Sequence, residues 1–129
     1  MASIKNPKAW LADEANIKKE EGRLEDTRRH ALLDHPFMGE RSIRAKIALD
    51  PKVKTACTNG TSVKFSPLFT ALLSSRELIG VFLHELLHVA LGHHVRRGNR
   101  NAQRWNIACD YVVNRVLHAA GIALPEGAL

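Results

Sequence analysis

LIGVFLHELLHVALG, running from Leu78 to Gly92, is apolar at every position except His84, Glu85 and His88. A run of this length, rich in Leu, Val and Ala and without strand-like alternation, reads as a helix buried on nearly all sides. Ser74-Ser75-Arg76-Glu77 just ahead of it fits a capping box, with Ser74 as N-cap and Glu77 at the third position. Gly92 ends the helix or bends it. Residues four apart on a helix share a face, so His84 and His88 project one turn apart, as two ligands of one metal ion must. Glu85 lies about 100° round from His84, close enough to reach a water at that metal without ligating it. The pattern is H-E-x-x-H, in which two imidazoles hold Zn²⁺ and the glutamate is the general base of a peptide hydrolysis. Burying an unpaired glutamate is costly, and a cation beside it removes that cost. The plainer reading, histidines satisfied inside a core, leaves the acid without a partner.

The 129 residues fit one domain, 1–129, in which 1–34 form a charged N-terminal helix and 35–129 the core. A hydrophobic fraction of 45% and a charged fraction of 25% are ordinary for a soluble globular chain. The net charge of +6 favours acidic partners and is weak support for nucleic acid binding. MASIKNPKAW has no apolar signal region, and HELLH interrupts the longest apolar run, so the expectation is a cytoplasmic protein with no membrane partner. Cys57 and Cys109 stand in apolar settings without a C-x-x-C neighbour, which points to core thiols rather than a disulfide or a thiolate metal site.

Between residues 8 and 34, Trp10, Ile17, Leu24 and Ala31 recur every seven positions among many charges, the pattern of one helix lying on the fold by a thin amphipathic face. His35-Pro36 ends it. From Ser42 to Phe65 the signals turn to strand. Ile43, Ala45 and Ile47 alternate with their neighbours, Asp50-Pro51 turns the chain, and Asn59-Gly60 joins two β-rich runs as a hairpin whose turn residues tolerate positive φ. The expectation is a small antiparallel sheet beside the metal helix, with an edge strand open to an extended peptide. Ser66-Pro67 begins a short helical piece, and HHVRRGNRNAQR, with Arg96, Arg97, Arg100 and Arg104, reads as a solvated cationic connection.

The last helix, roughly Asn101 to Ala120, carries apolar Trp105, Ala108, Cys109, Val112, Val113 and Val116 over most of its circumference. Asn106, Asp110 and Asn114 repeat at spacing four and so share one face. A catalytic zinc site usually has three protein ligands and an open position, and the third ligand is Asp110, His94 or His93. His94 would follow the metzincin pattern, but that pattern needs glycine at position 91, where this chain has Leu91. Asp110 needs only that the last helix cross the first, with Asn106 and Asn114 orienting the ligands. Tyr111, His93, His94 and Arg96 are candidates to stabilise an oxyanion.

HELLHVALGHHVRRG, WNIACDYVVNRVL and LPEGAL together resemble the bacterial and phage metallopeptidase domain commonly joined to a von Willebrand factor A-like domain. The resemblance runs from about His35 onward and includes the TNG hairpin. It implies an α+β, zincin-like fold, in which the buried HExxH helix packs on a second ligand-bearing helix beside the small sheet. It also implies metal-dependent peptidase activity on a peptide or protein substrate, with His84, Glu85, His88 and Asp110 at the matching positions and an A-like domain as partner. The cofactor expected is Zn²⁺. The competing class is a non-catalytic zinc-binding regulatory or nucleic-acid-binding module, against which Glu85 argues because a purely structural site has no use for a general base.

Overall fold

The computed structural model describes residues 3–125, so that residues 126–129, the end of the LPEGAL segment, lie outside the described residues. In chain order the elements are α1 (Pro7–Ala12), α2 (Glu14–Asp34), α3 (Pro36–Gly39), a 3-10 turn (Glu40–Ile43), β1 (Lys46–Leu49), β2 (Ala56–Thr58), β3 (Ser62–Phe65), α4 (Pro67–Ala71), α5 (Ser75–Ala90), α6 (His93–Arg96) and α7 (Ala102–Ala119). Among the described residues no helix is long and apolar enough to cross a membrane.

The fold is assembled around α5. Its start is the expected capping box: the Glu77 backbone N–H donates to Ser74 Oγ at 3.1 Å and the Ser74 N–H to the Glu77 carboxylate at 3.0 Å. It stops at Leu91, and Gly92 then takes φ 65°, the left-handed region that disfavours a residue with a Cβ by about 1–2 kcal/mol. Leu78, Val81, Phe82, Leu83, Leu86 and Leu87 of α5 form one buried cluster with Val63 and Phe65 of β3, Leu24 and Ala31 of α2, and Val113 and Leu117 of α7. Each fully buried Leu or Phe contributes about 1.5–3 kcal/mol, and α5 supplies half of that cluster.

The N-terminal region is two helices rather than one. Asp13 is extended, closes α1 through its backbone, and starts α2 by accepting the Ala15 N–H at 3.0 Å. The amphipathic stripe is as expected, with Leu24 and Ala31 buried and Trp10 and Ile17 half-buried. Glu20, on a face that reads as solvated, is 2% exposed. Its carboxylate accepts from the Arg23 guanidinium at 2.8 Å and the Thr70 hydroxyl at 2.9 Å, and Arg23 also donates to the Thr70 carbonyl. This buried pair clamps α2 to α4, the segment that leads into α5.

The sheet corrects the sequence expectation of antiparallel strands. Its order is β1-β3-β2, with β2 antiparallel to β3 but β1 parallel to it. The central place goes to β3, whose Val63 and Phe65 are the fully buried strand residues, and β1 and β2 flank it half-exposed. Neighbours in sequence reveal the hairpin; which side β1 joins is settled by burial. Strand also begins later than expected, because Glu40–Ile43 forms a 3-10 turn closed by the Ser42 hydroxyl on the Gly39 carbonyl at 2.6 Å. In the hairpin Gly60 alone has positive φ, 98°. Asn59 contributes through its side chain, whose Oδ1 accepts the N–H groups of Thr61 and Ser62 at 3.0 and 2.9 Å.

The last helix is less enclosed than its composition suggests. Cys109, Val113 and Leu117 are buried against α5, while Ile107, Tyr111, Val112 and Val116 are exposed, because α7 rests on the body of the fold along one face. After α7, Gly121 lets the chain double back across α5, where the Ala123 carbonyl lies directly over Gly80. A Cβ at Gly80 would collide with that carbonyl, and since it is backbone it cannot turn aside. Gly80→Ala should therefore destabilise the protein by about 1–3 kcal/mol in urea denaturation. Gly22→Ala, on α2 with nothing within 4 Å of the added carbon, should stabilise by about 0.5–1 kcal/mol. Equal effects of the two substitutions would contradict the close crossing of the C-terminal segment over α5.

Candidate metal centre

Because α5 is pinned on several sides, the faces of its few polar residues are set, and His84 and His88 point together toward α7. Asp110 of α7 meets them. Its Oδ1 is 3.1 Å from His84 Nε2 and 2.8 Å from His88 Nε2, and the two Nε2 atoms are 3.1 Å apart. These three residues form the group among the described residues that could hold a metal ion. Tetrahedral ligands 2.0–2.1 Å from one cation lie about 3.3 Å from one another, so the separations fit with small movement. The donor set fits as well: two imidazole nitrogens and one carboxylate suit a borderline cation such as Zn²⁺.

The far side of each imidazole is also tied. His84 Nδ1 lies 2.8 Å from Asn114 Oδ1. The amide oxygen can only accept, so Nδ1 carries the proton and Nε2 is free to face Asp110 and the metal position. The Asn114 Nδ2 group is left buried and without a partner among the described residues, which shows that Asn114 is held by its bond to His84 rather than by a wider network. His88 Nδ1 lies 2.9 Å from His93 Nδ1. His93 is itself fixed by Trp105, whose indole N–H donates to the His93 carbonyl at 2.7 Å and whose ring meets the imidazole edge-on.

The electrostatics are those of a site built around positive charge. Burial alone would raise the Asp110 pKa, but hydrogen bonds and charge from His84 and His88 outweigh it and hold the carboxyl well below the usual range. Burial likewise lowers the His84 pKa, yet Asp110 and the nearby Glu85 reverse this and leave it raised. Glu85 is 8% exposed. Its pKa is pushed up by burial, a shift only partly opposed by the two histidines. The hydrogen bonds of the centre run among His84, His88, His93, Asp110 and Asn114, and Glu85 joins none of them.

Glu85 instead lines a cavity of about 510 Å³ that also contains the three ligand candidates. One wall is β2 and the residue before it, Thr55 to Thr58, and another is Leu124 and Pro125 of the segment that crosses Gly80. His94 and Arg97 line the cavity too, but His94 stands against the hairpin turn at Gly60 and outside the ligand cluster. His93 stands behind His88, not beside the metal position. Of the oxyanion candidates, Tyr111 is exposed and Arg96 turns its guanidinium to the Leu91 carbonyl at 2.9 Å, and neither lines the cavity. Asn106 is exposed at the cavity rim, whereas Asn114 reaches the centre. Sequence reasoning places Arg97 in a solvated cationic run and not among the oxyanion candidates, because a charge run offers no directional signal. It also offered His93 as a ligand, since spacing cannot show that a left-handed glycine folds the next residue back onto His88.

Residues 19–129 match a family model described as "Putative metallopeptidase domain". No curated protein matches the chain, and no solved structure matches it.

The geometry ranks the residues around the centre by their effect on metal affinity. Asp110→Ala should abolish tight binding, Asn114→Leu should weaken it about 10–100-fold by freeing the His84 tautomer, and His94→Ala should leave it within a few-fold of wild type. Competition against a chromophoric zinc chelator measures all three. A larger loss in His94→Ala than in Asp110→Ala would transfer the ligand role to His94.

Proposed function

The chain belongs to the metallopeptidase-domain family whose model it matches over residues 19–129, and from that membership we propose that it is a zinc-dependent peptidase with Glu85 as general base. The observation that carries this reading is the side-by-side placement of two things in one cavity: a His84–His88–Asp110 cluster able to hold a cation, and a buried carboxylate held by no hydrogen bond of that cluster. A zinc ion bound there supplies Lewis-acid polarisation of a carbonyl and lowers the pKa of water from 15.7 toward about 7.

The chain's own groups do the rest. Glu85 takes the proton as the water oxygen bonds to the scissile carbonyl carbon. It then delivers that proton to the leaving amine nitrogen as the C–N bond breaks. Burial raises its pKa above the usual carboxylate range, the direction that makes a carboxylate a better proton acceptor. β2, at the edge of the sheet and along the cavity wall, offers unpaired backbone groups that can align an extended peptide across the centre. His94 and Arg97 are among the cavity-lining donors available to a developing oxyanion. The buried HExxH helix, the small sheet beside it and the second helix bearing Asp110 support a zincin-like arrangement. A purely structural zinc site would more often be closed by four protein ligands and would not need an acid beside it.

Glu85→Gln keeps size and polarity but cannot accept the proton. It should retain zinc content and thermal stability while peptide hydrolysis falls by about 10²- to 10⁴-fold, measured by mass spectrometry of digests from a broad peptide library. Equal turnover by wild type and Glu85→Gln on a substrate whose cleavage is stopped by chelation would remove Glu85 from this role.

A further inference from the structure

We infer that His93 is a positioning residue for the metal centre: its Nδ1 accepts the Nδ1–H of His88 and thereby turns the bare Nε2 of His88 toward His84 and Asp110. The inference rests on the reading of His84, His88 and Asp110 as metal ligands, and deepens it. His88 has two ring nitrogens, both engaged. Nε2 is 2.8 Å from Asp110 Oδ1 and Nδ1 is 2.9 Å from His93 Nδ1. A hydrogen bond between two ring nitrogens needs one N–H and one lone pair, so there are two ways to place the proton. If His93 donates, a neutral His88 carries its proton on Nε2, and that atom can hydrogen-bond Asp110 but cannot bind a cation. If His93 accepts, His88 carries its proton on Nδ1 and offers the Nε2 lone pair to the cluster. Metal binding therefore selects the second arrangement, with His93 as the Nε2–H tautomer.

The fold holds His93 in that place from three directions. Gly92, at φ 65°, turns the chain at the end of α5 so that residue 93 falls back beside residue 88. The Trp105 indole N–H holds the His93 carbonyl, and its ring packs at 84° to the imidazole. The residue is 6% exposed, which leaves its ring little freedom to turn. The arrangement has a chemical consequence. Both distal partners, His93 on His88 and Asn114 on His84, are uncharged acceptors where a carboxylate would make the imidazoles more electron-rich. With Asp110 as the one anionic ligand among the three, a dication held there would keep more of its charge than one whose imidazoles were backed by carboxylates.

The test uses the full chain and zinc itself. In the zinc-loaded wild type, nitrogen-15 NMR of the imidazoles should show His88 protonated at Nδ1, and His93 unprotonated at Nδ1 and protonated at Nε2. His93→Phe, which keeps a ring but removes the acceptor, should weaken zinc binding about 10–100-fold by chelator competition. His93→Asn, whose side-chain oxygen can accept in place of Nδ1, should recover most of that loss. A proton on His93 Nδ1 in the zinc-loaded protein overturns the inference even if the variants fail to fold. So does wild-type affinity in His93→Phe when His88→Ala has lost binding. A folded wild type that takes up no zinc fails differently: it removes the metal centre itself, and with it the role of His93.

Discussion

Three atoms, His84 Nε2, His88 Nε2 and Asp110 Oδ1, meet within about a hydrogen-bond length of one another, close enough for one cation to touch all three. A proton shared in the cluster serves weakly, because it can satisfy one pair at a time; a divalent cation satisfies all three. The constraint reaches well beyond the centre. It requires α5 to be fixed in rotation, which the buried leucines around it accomplish, and it requires α7 to cross α5 at the level of His84 and His88. Cys109, Val113 and Leu117 seat α7 at that level, and Asn114, one turn beyond Asp110, completes the match by reaching His84.

Glu85 shows how the same packing perturbs a carboxyl group. On a helix buried elsewhere by leucine and phenylalanine, a carboxylate is unstable unless a cation is near, and the histidines that would bind the cation precede and follow it in sequence. Its raised pKa comes from removal from bulk water, and its place is on the cavity wall. The other walls are not built by α5 at all. One comes from β2 and another from Leu124 and Pro125, and the segment that carries those two crosses α5 where Gly80 leaves space for the Ala123 carbonyl. The cavity therefore depends on a glycine that lies outside the His84–His88–Asp110 cluster.

The legibility of the chain varies with how local each feature is. The capping box at Ser74, the end of α5 near Gly92, the polar stripe on α7 and the Asn59-Gly60 hairpin follow from spacings of a few residues, and each is found where the spacing puts it. The break at Asp13 was missed because the heptad stripe runs smoothly across it, while the side chain of Asp13 caps a new helix. Glu20 reads as a surface charge and is buried, since its partner Thr70 lies fifty residues away in sequence. The parallel pairing of β1 with β3 is likewise non-local: alternation announces a strand but not its neighbour. The breadth of apolar sequence on α7 suggested enclosure, and the structure buries one face.

By itself the sequence determined the chemistry that this chain can carry: two histidines one helical turn apart, an acid beside the first, and an acid at the centre of a second polar stripe. Those choices depend on helical periodicity, which is set by the backbone and is the same wherever the helix lies. Only the tertiary structure decided which third residue meets the histidines, that His93 stands behind His88 rather than next to the metal position, and that Arg97 rather than Arg96 faces the cavity. Each of these turns on how two elements distant in sequence pack, or on a single left-handed glycine. The energy of such contacts is summed over many weak apolar interactions that no short stretch of residues contains.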